Sequence, residues 1–194
     1  MSDEHTFLFC DLVGFTALTD VEGDHRAAAV AAALRGRVNS GAATHRAEVV
    51  KWMGDAAMLR CADPAGAIQL ALRLVDEVDA DPDLPPVRVG IHSGSAVGRD
   101  GDWYGRAVNV ASRLCSAAAG GEVLVSESTL AAARELPMVT LGERRLHWLK
   151  NVTEPVAARA TELNRRARFA ARLGVTNCPL GIGRRSHATA GGAL

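Results

Sequence analysis

This sequence predicts a mixed α+β fold built around a βαββαβ core, and three observations carry that reading. Short runs rich in β-branched and aromatic residues recur along the chain and have the length of strands. Between them lie two longer stretches whose apolar residues return at helical spacing. Finally, Gly54-Asp55 joins two apolar runs, as the turn of a β-hairpin does.

In chain order, residues 6–11 read as the first strand, which ends on Asp11. Gly14-Phe15-Thr16 then turns the chain, and the glycine lets backbone approach a ligand closely. From about Glu22 to Ala43 the sequence is Ala-rich, with Val30, Leu34 and Val38 spaced for a helix. Strands at 47–52 and 56–61 flank the hairpin turn. Asp63-Pro64 is a helix start, an N-cap followed by a first-turn proline. Ile68, Leu72, Val75 and Val78 give that helix one apolar face, and a proline-rich connector over 80–86 leads to a fourth strand, 87–92. An extended arm is expected over 95–105 and a helix over 106–117. A short strand at 123–125, a helix capped by Ser126, two short strands within 139–149 and a last strand over 155–163 complete the body.

This order is α/β in the broad sense and, in detail, a ferredoxin-like βαββαβ sandwich with extra C-terminal strands and helices. In such a sheet the first and third strands lie side by side and antiparallel. Asp11, closing the first, should therefore meet Asp55, which opens the third. Two carboxylates brought together at strand ends make a candidate site for divalent cations.

Composition narrows the function. The 194 residues suffice for one domain with extensions. No apolar run is long enough to span a bilayer, and the acidic N-terminus lacks the basic-then-apolar order of a signal peptide, so a cytoplasmic location is expected. Cys10, Cys61, Cys115 and Cys178 are widely spaced and read as free thiols. His92, inside an apolar run, reads as a packed strand residue and not as a ligand. The net charge of zero conceals six arginines and no acid in residues 165–194. The chain therefore divides into a body, 1–164, and a basic tail, 165–194. The body has no basic stripe with interleaved aromatics, so no nucleic-acid partner is expected. Only Lys51 and Lys150 among the 22 basic residues are lysine, which draws attention to both as compact point charges.

A second candidate set is Asp102, Asn109 and Arg113. Asn109 and Arg113 are one helical turn apart and project from one face. An amide beside a forked guanidinium suits a sugar oxygen and a phosphate. Spacing alone leaves open a plain solvated helix face.

Three blocks, Phe9-Cys10-Asp11-Leu12-Val13-Gly14-Phe15-Thr16, Lys51-Trp52-Met53-Gly54-Asp55 and Asp102 through Arg113, together resemble the signature motifs of the class III nucleotidyl cyclase catalytic domain. Gly90-Ile91-His92-Ser93-Gly94 and Leu149 through Val156 are similar to that family as well, and the resemblance covers about residues 5–163. It implies an adenylyl cyclase, a lyase that converts ATP to 3′,5′-cyclic AMP and pyrophosphate. The implied metal ligands are Asp11 and Asp55, holding two divalent cations per site, Mg²⁺ or Mn²⁺. Lys51 and Asp102 would read the purine, Asn109 would orient the ribose, and Arg113 would stabilise charge on the α-phosphate. Phe15 and Thr16 would offer backbone N–H groups to the phosphates. Lys150 matches a phosphate-binding lysine, although Asn151 stands where the family commonly has glycine. The resemblance further implies a head-to-tail homodimer whose sites are shared between subunits. The alternative is a catalytically silent nucleotide-binding regulatory module of the same fold. A diguanylate cyclase is disfavoured, because the chain has no GGDEF-like motif.

Overall fold

A computed structural model describes residues 4–164. The basic tail expected over 165–194, and Cys178 within it, lie outside the described residues.

The first strand, β1 (Glu4–Leu12), runs through the middle of an eight-stranded sheet. Its neighbours are β3 (Ala56–Cys61) and β4 (Val87–Ser95), both antiparallel to it, and β2 (Ala47–Met53) lies outside β3. This is the β2-β3-β1-β4 order expected of the βαββαβ core. Beyond β4 the sheet continues through a parallel pairing with β7 (Val123–Ser126), then β10 (Val156–Leu163) and β8 (Val139–Leu141). The short β9 (Arg145–His147) also pairs with β10.

The sheet has two unlike faces because side chains alternate along each strand. Leu8, Cys10 and Leu12 of β1, with Leu59, Val89 and Ile91, pack against helices α2 (Asp24–Thr44) and α3 (Pro64–Asp79). These helices supply Val30, Leu34, Val38, Ile68, Leu72, Val75 and Val78, all named from the periodicity. Asp63 caps α3 by accepting from the N–H groups of Ala65 and Gly66. The opposite face carries Phe7, Phe9 and Met58, and on it lies α4 (Arg106–Ala117) through Ala107, Val108, Ala111 and Cys115.

Several elements differ from expectation. The helix expected from Glu22 is preceded by a separate helix, α1 (Phe15–Glu22). Gly23, at φ 83°, breaks the two apart. The arm over 95–105 is a two-stranded hairpin, β5 (Val97–Arg99) and β6 (Asp102–Tyr104), pairing only with each other among the described residues. Its turn residues Asp100 and Gly101 both have positive φ, as a tight two-residue turn requires. The helix capped by Ser126 is α5 (Glu127–Ala132).

The three described cysteines are buried and free, with burial pushing the Cys10 and Cys61 thiols up to about 12. His92 is buried in β4 beneath a cluster of hydroxyls, its Nδ1 2.8 Å from Ser126 Oγ. Burial, followed by the charge of Arg106, lowers its pKa to about 4. It is therefore a packed neutral histidine, as the sequence indicated. No helix among the described residues is long and apolar enough to cross a membrane.

Gly90 sets the height of α4 over the sheet. A Cβ there would lie 2.1 Å from Cys115 N and 2.6 Å from Ala111 O, both backbone atoms that cannot swing aside. Gly90→Ala should force the helix outwards and destabilise the protein by about 1–3 kcal/mol or more. In urea unfolding the midpoint should fall with little change in slope.

Candidate active site

Residues of one parity on β1 share the α4 face of the sheet, so Asp11 follows Phe7 and Phe9 onto it. Cys10 pairs with Ala57, the second residue of β3, which leaves Asp55 of the hairpin turn beside Asp11. The two carboxyls interact directly. Burial raises the pKa of Asp55 first, and the charge and side-chain hydrogen bond of Asp11 raise it further, while backbone hydrogen bonds from Asp55 itself and Leu12 pull it down. The meeting deduced from strand order is present.

One further group at this place was not singled out from the sequence. Arg88 stands directly opposite Asp11 across β1 and β4, and its Nε donates to Asp11 Oδ2 at 2.9 Å. Its Nη2 donates to the same oxygen. A register argument could have found it, because Asp11 and Arg88 both adjoin the site end of their strands.

The hairpin turn sets the place of its other charge. Counted one-for-one from the turn, Met53 pairs with Ala56, Trp52 with Ala57 and Lys51 with Met58, which puts Lys51 on the face of Met58 and of the β5–β6 hairpin. Val49 pairs with Leu59, so Val50 is an extra residue, a β-bulge. Without it, Val49 would stand opposite Arg60, off the face covered by α2 and α3. There its Nζ donates to Asp102 Oδ2 at 2.6 Å, while Asp102 Oδ1 accepts from the Trp103 N–H at 2.8 Å. These two bonds, Lys51 foremost, hold the Asp102 carboxyl below the ordinary carboxylate range. The structure thus joins residues 51 apart in sequence into one donor–acceptor pair.

Asn109 and Arg113 do share a face of α4, but it is the face turned away from the sheet. Ala107, Ala111 and Cys115 are buried against the strands, whereas Asn109 is exposed and Arg113 is half-buried. No hydrogen bond or ion pair holds either side chain among the described residues. Within one chain they are therefore not gathered onto the Asp11–Asp55 pair. Phe15 and Thr16 form the start of α1, whose first-turn N–H groups have no acceptor within the helix. Lys150 is exposed in the turn after β9. Beside it Asn151 has φ 62°, a left-handed conformation that asparagine tolerates better than most residues, so it can serve where glycine is the usual choice.

Can these residues hold divalent cations? Asp11 and Asp55 are hard oxygen donors under mutual repulsion, and a cationic guanidinium already lies on one of them. That donor set suits Mg²⁺ or Mn²⁺, which bind through one or two carboxylates and complete their shells with water and phosphate oxygens. Among the described residues no cluster of three or more His, Cys, Asp or Glu is assembled as a metal cage.

Residues 1–147 match the family described as the adenylate and guanylate cyclase catalytic domain. The chain belongs to that family. Its cyclase domain is 42% identical over 151 residues to a pH-sensitive adenylate cyclase of Mycobacterium tuberculosis, covering 75% of this chain and 38% of that protein. An adenylate cyclase of Streptomyces griseus is 37% identical over 117 residues, covering 60% of this chain and 29% of its own length. The chain thus spans about a third of the length of these curated relatives. Among solved structures, an adenylyl cyclase of P. aeruginosa superposes with a TM-score of 0.73 at 22% identity, covering 86% of this chain and 97% of that one. A rhodopsin-guanylyl cyclase catalytic core of converted specificity, solved with ATPαS, gives 0.73 at 20% identity, over 84% and 97% of the two chains. Likeness at that identity establishes the cyclase fold, and proteins named for either purine share it.

The raised pKa of Asp55 has a consequence for stability. A carboxyl whose folded value lies above its unfolded one contributes fully in acid, and that contribution is lost as the pH rises through the folded value. Asp55→Asn removes the loss. Without divalent ions the variant should melt above the wild type at pH 7, and the difference should vanish below about pH 4. Thermal melts across that range measure it directly.

Proposed function

We propose that this cyclase domain converts ATP to 3′,5′-cyclic AMP and pyrophosphate, at sites shared between the subunits of a head-to-tail homodimer. The observation that carries the choice of substrate is the Lys51–Asp102 pair, which in a shared site reads the base beside Asn109 and Arg113 of its own subunit, with the metal aspartates supplied by the other subunit.

The reaction forms a bond from the ribose 3′-oxygen to the α-phosphorus and breaks the bond from that phosphorus to pyrophosphate. Little is asked of the protein beyond alignment and charge stabilisation, which fits a site of Asp, Lys, Asn and Arg. Divalent cations held by Asp11 and Asp55 would supply charge neutralisation at the triphosphate and acidify the 3′-hydroxyl. Arg88 keeps the carboxylate pair tolerable when no cation is bound. Asn109 orients the ribose, and Arg113 meets the charge that grows on the α-phosphate. The first-turn N–H groups at Phe15 and Thr16, with Lys150, face the remaining phosphate oxygens.

Adenine offers an acceptor at N1 and a donor at N6. Lys51 only donates and ionised Asp102 only accepts, so the pair matches adenine and mismatches guanine, whose N1–H and O6 have the reverse polarity. Against guanine both members of the pair meet groups of their own kind, which predicts a preference for ATP of about tenfold or more.

Sharing between subunits is supported by the outward face of α4. Asn109 and Arg113 project from the surface, away from their own chain's aspartates, and need a second copy's sheet face to complete a site.

Incubating the protein with ATP and Mn²⁺ should yield cyclic AMP, and its absence would defeat the reading. Asp11→Ala and Asn109→Ala should each lower turnover about 100-fold or more. After subunit exchange, an equal mixture should recover about a quarter of wild-type activity, since half the dimers carry one intact site of two. A mixture as inert as its parents rules out shared sites. Combining Lys51→Glu with Asp102→Asn should move the preference towards GTP, and kcat/KM for both nucleotides measures the shift.

A further inference from the structure

We propose that the indole of Trp103 clamps the β5–β6 hairpin to the sheet and so fixes the Asp102 carboxylate that reads the base. The inference rests on the base-reading role given to Asp102 above and extends it to a positioning residue.

A two-stranded hairpin by itself is marginally stable in water. β5 and β6 join no other strand among the described residues, and their outward residues Val97 and Tyr104 are 66% and 57% exposed. Trp103 points the other way. It packs on the Phe7, Phe9 and Met58 cluster, with its ring centroid 4.3 Å from that of His5, edge to face, and 5.8 Å from that of Phe7. The guanidinium of Arg60 lies over the same ring at 5.0 Å, itself held by Glu48 of β2 at 2.9 Å. On the hairpin side Trp103 pairs across with Gly98, where a Cβ would come within 3.3 Å of the indole. The ring therefore fills the space beside a glycine and is met by histidine, phenylalanine and arginine around it.

The link to chemistry is one bond long. The Trp103 N–H donates to Asp102 Oδ1 at 2.8 Å, leaving Oδ2 for Lys51. Whatever fixes the Trp103 backbone thereby holds one oxygen of a carboxylate that Lys51 and the Tyr104 side chain also bond. Edge-to-face and cation–π contacts of this kind favour one placement of the ring. Their loss frees Asp102 to turn without removing any group from the reacting phosphate.

The test is steady-state kinetics on the full chain with ATP and with GTP. Trp103→Ala should raise KM for ATP and lower the ATP-over-GTP ratio of kcat/KM about tenfold, with kcat changed less than about twofold. Trp103→Phe should restore most of both, and Arg60→Gln should fall between. Gly98→Ala, which presses on the indole, should shift the ratio in the same direction while leaving Trp103 in place. If Trp103→Ala does not fold, Arg60→Gln and Gly98→Ala carry the test. An unchanged ATP-over-GTP ratio in the variants, with kcat falling at constant KM, assigns a purely structural role and overturns the proposal. Asp102→Asn separates the two ideas. If it leaves the ratio unaltered, base reading fails and the clamp falls with it. If it erodes the ratio while the Trp103 and Arg60 variants do not, the clamp alone fails.

Discussion

Two carboxylates held side by side repel one another, and the arrangement of this domain follows from tolerating that repulsion. Burial is the largest disfavour of Asp55 carrying charge, and the antiparallel pairing of β1 with β3, which sets Asp11 beside it, adds to that. Arg88, delivered by the pairing of β1 with β4 on the other side, offsets part of it. The central strand is thus flanked by the source of the strain and by its relief. A strand pinned on both edges can hold such a pair where a loop would move away.

The rest of the fold divides labour between the sheet's two faces. One is closed by α2 and α3 over a continuous apolar core and carries stability. The other carries the charges and is only partly covered, by α4 and by the small hairpin. Gly90 lets α4 lie close enough that its inner residues are buried and its outer turn is left to solvent. The same face therefore presents the Asp11–Asp55 carboxylates and the Lys51–Asp102 pair, while the helix resting on it leaves Asn109 and Arg113 on its outer side.

Much of this was legible in the sequence because it depends on local chemistry or on topology. The strands around Asp11, the Gly54-Asp55 turn and the Asp63 cap follow from alternation and turn residues, and the adjacency of Asp11 and Asp55 follows from strand order alone. What escaped depends on register and on long-range packing. Neither Val50 nor its neighbours mark a bulge, since a valine suits a regular strand equally well. The split between α1 and α2 hangs on Gly23, whose backbone conformation a sequence does not display. Arg88 looks like one of many surface arginines until β4 is laid against β1. The role of Trp103 is invisible until Gly98, His5 and Arg60 are seen around it.

The bulge at Val50 acts as a phase slip between two halves of one strand. Upstream of it, Val49 answers to the helix-covered core; downstream, the phase of Lys51 is set by the hairpin turn and by Met58. Point substitutions leave that phase untouched, whatever residue they place at position 51. A gain or loss of one residue between α2 and the bulge can be absorbed in the irregular stretch without rotating the lysine, whereas a change between Lys51 and the turn turns it into the core. Variation in length is thus tolerated on one side of Val50 and excluded on the other, and the boundary between drift and constraint in β2 falls within a single residue.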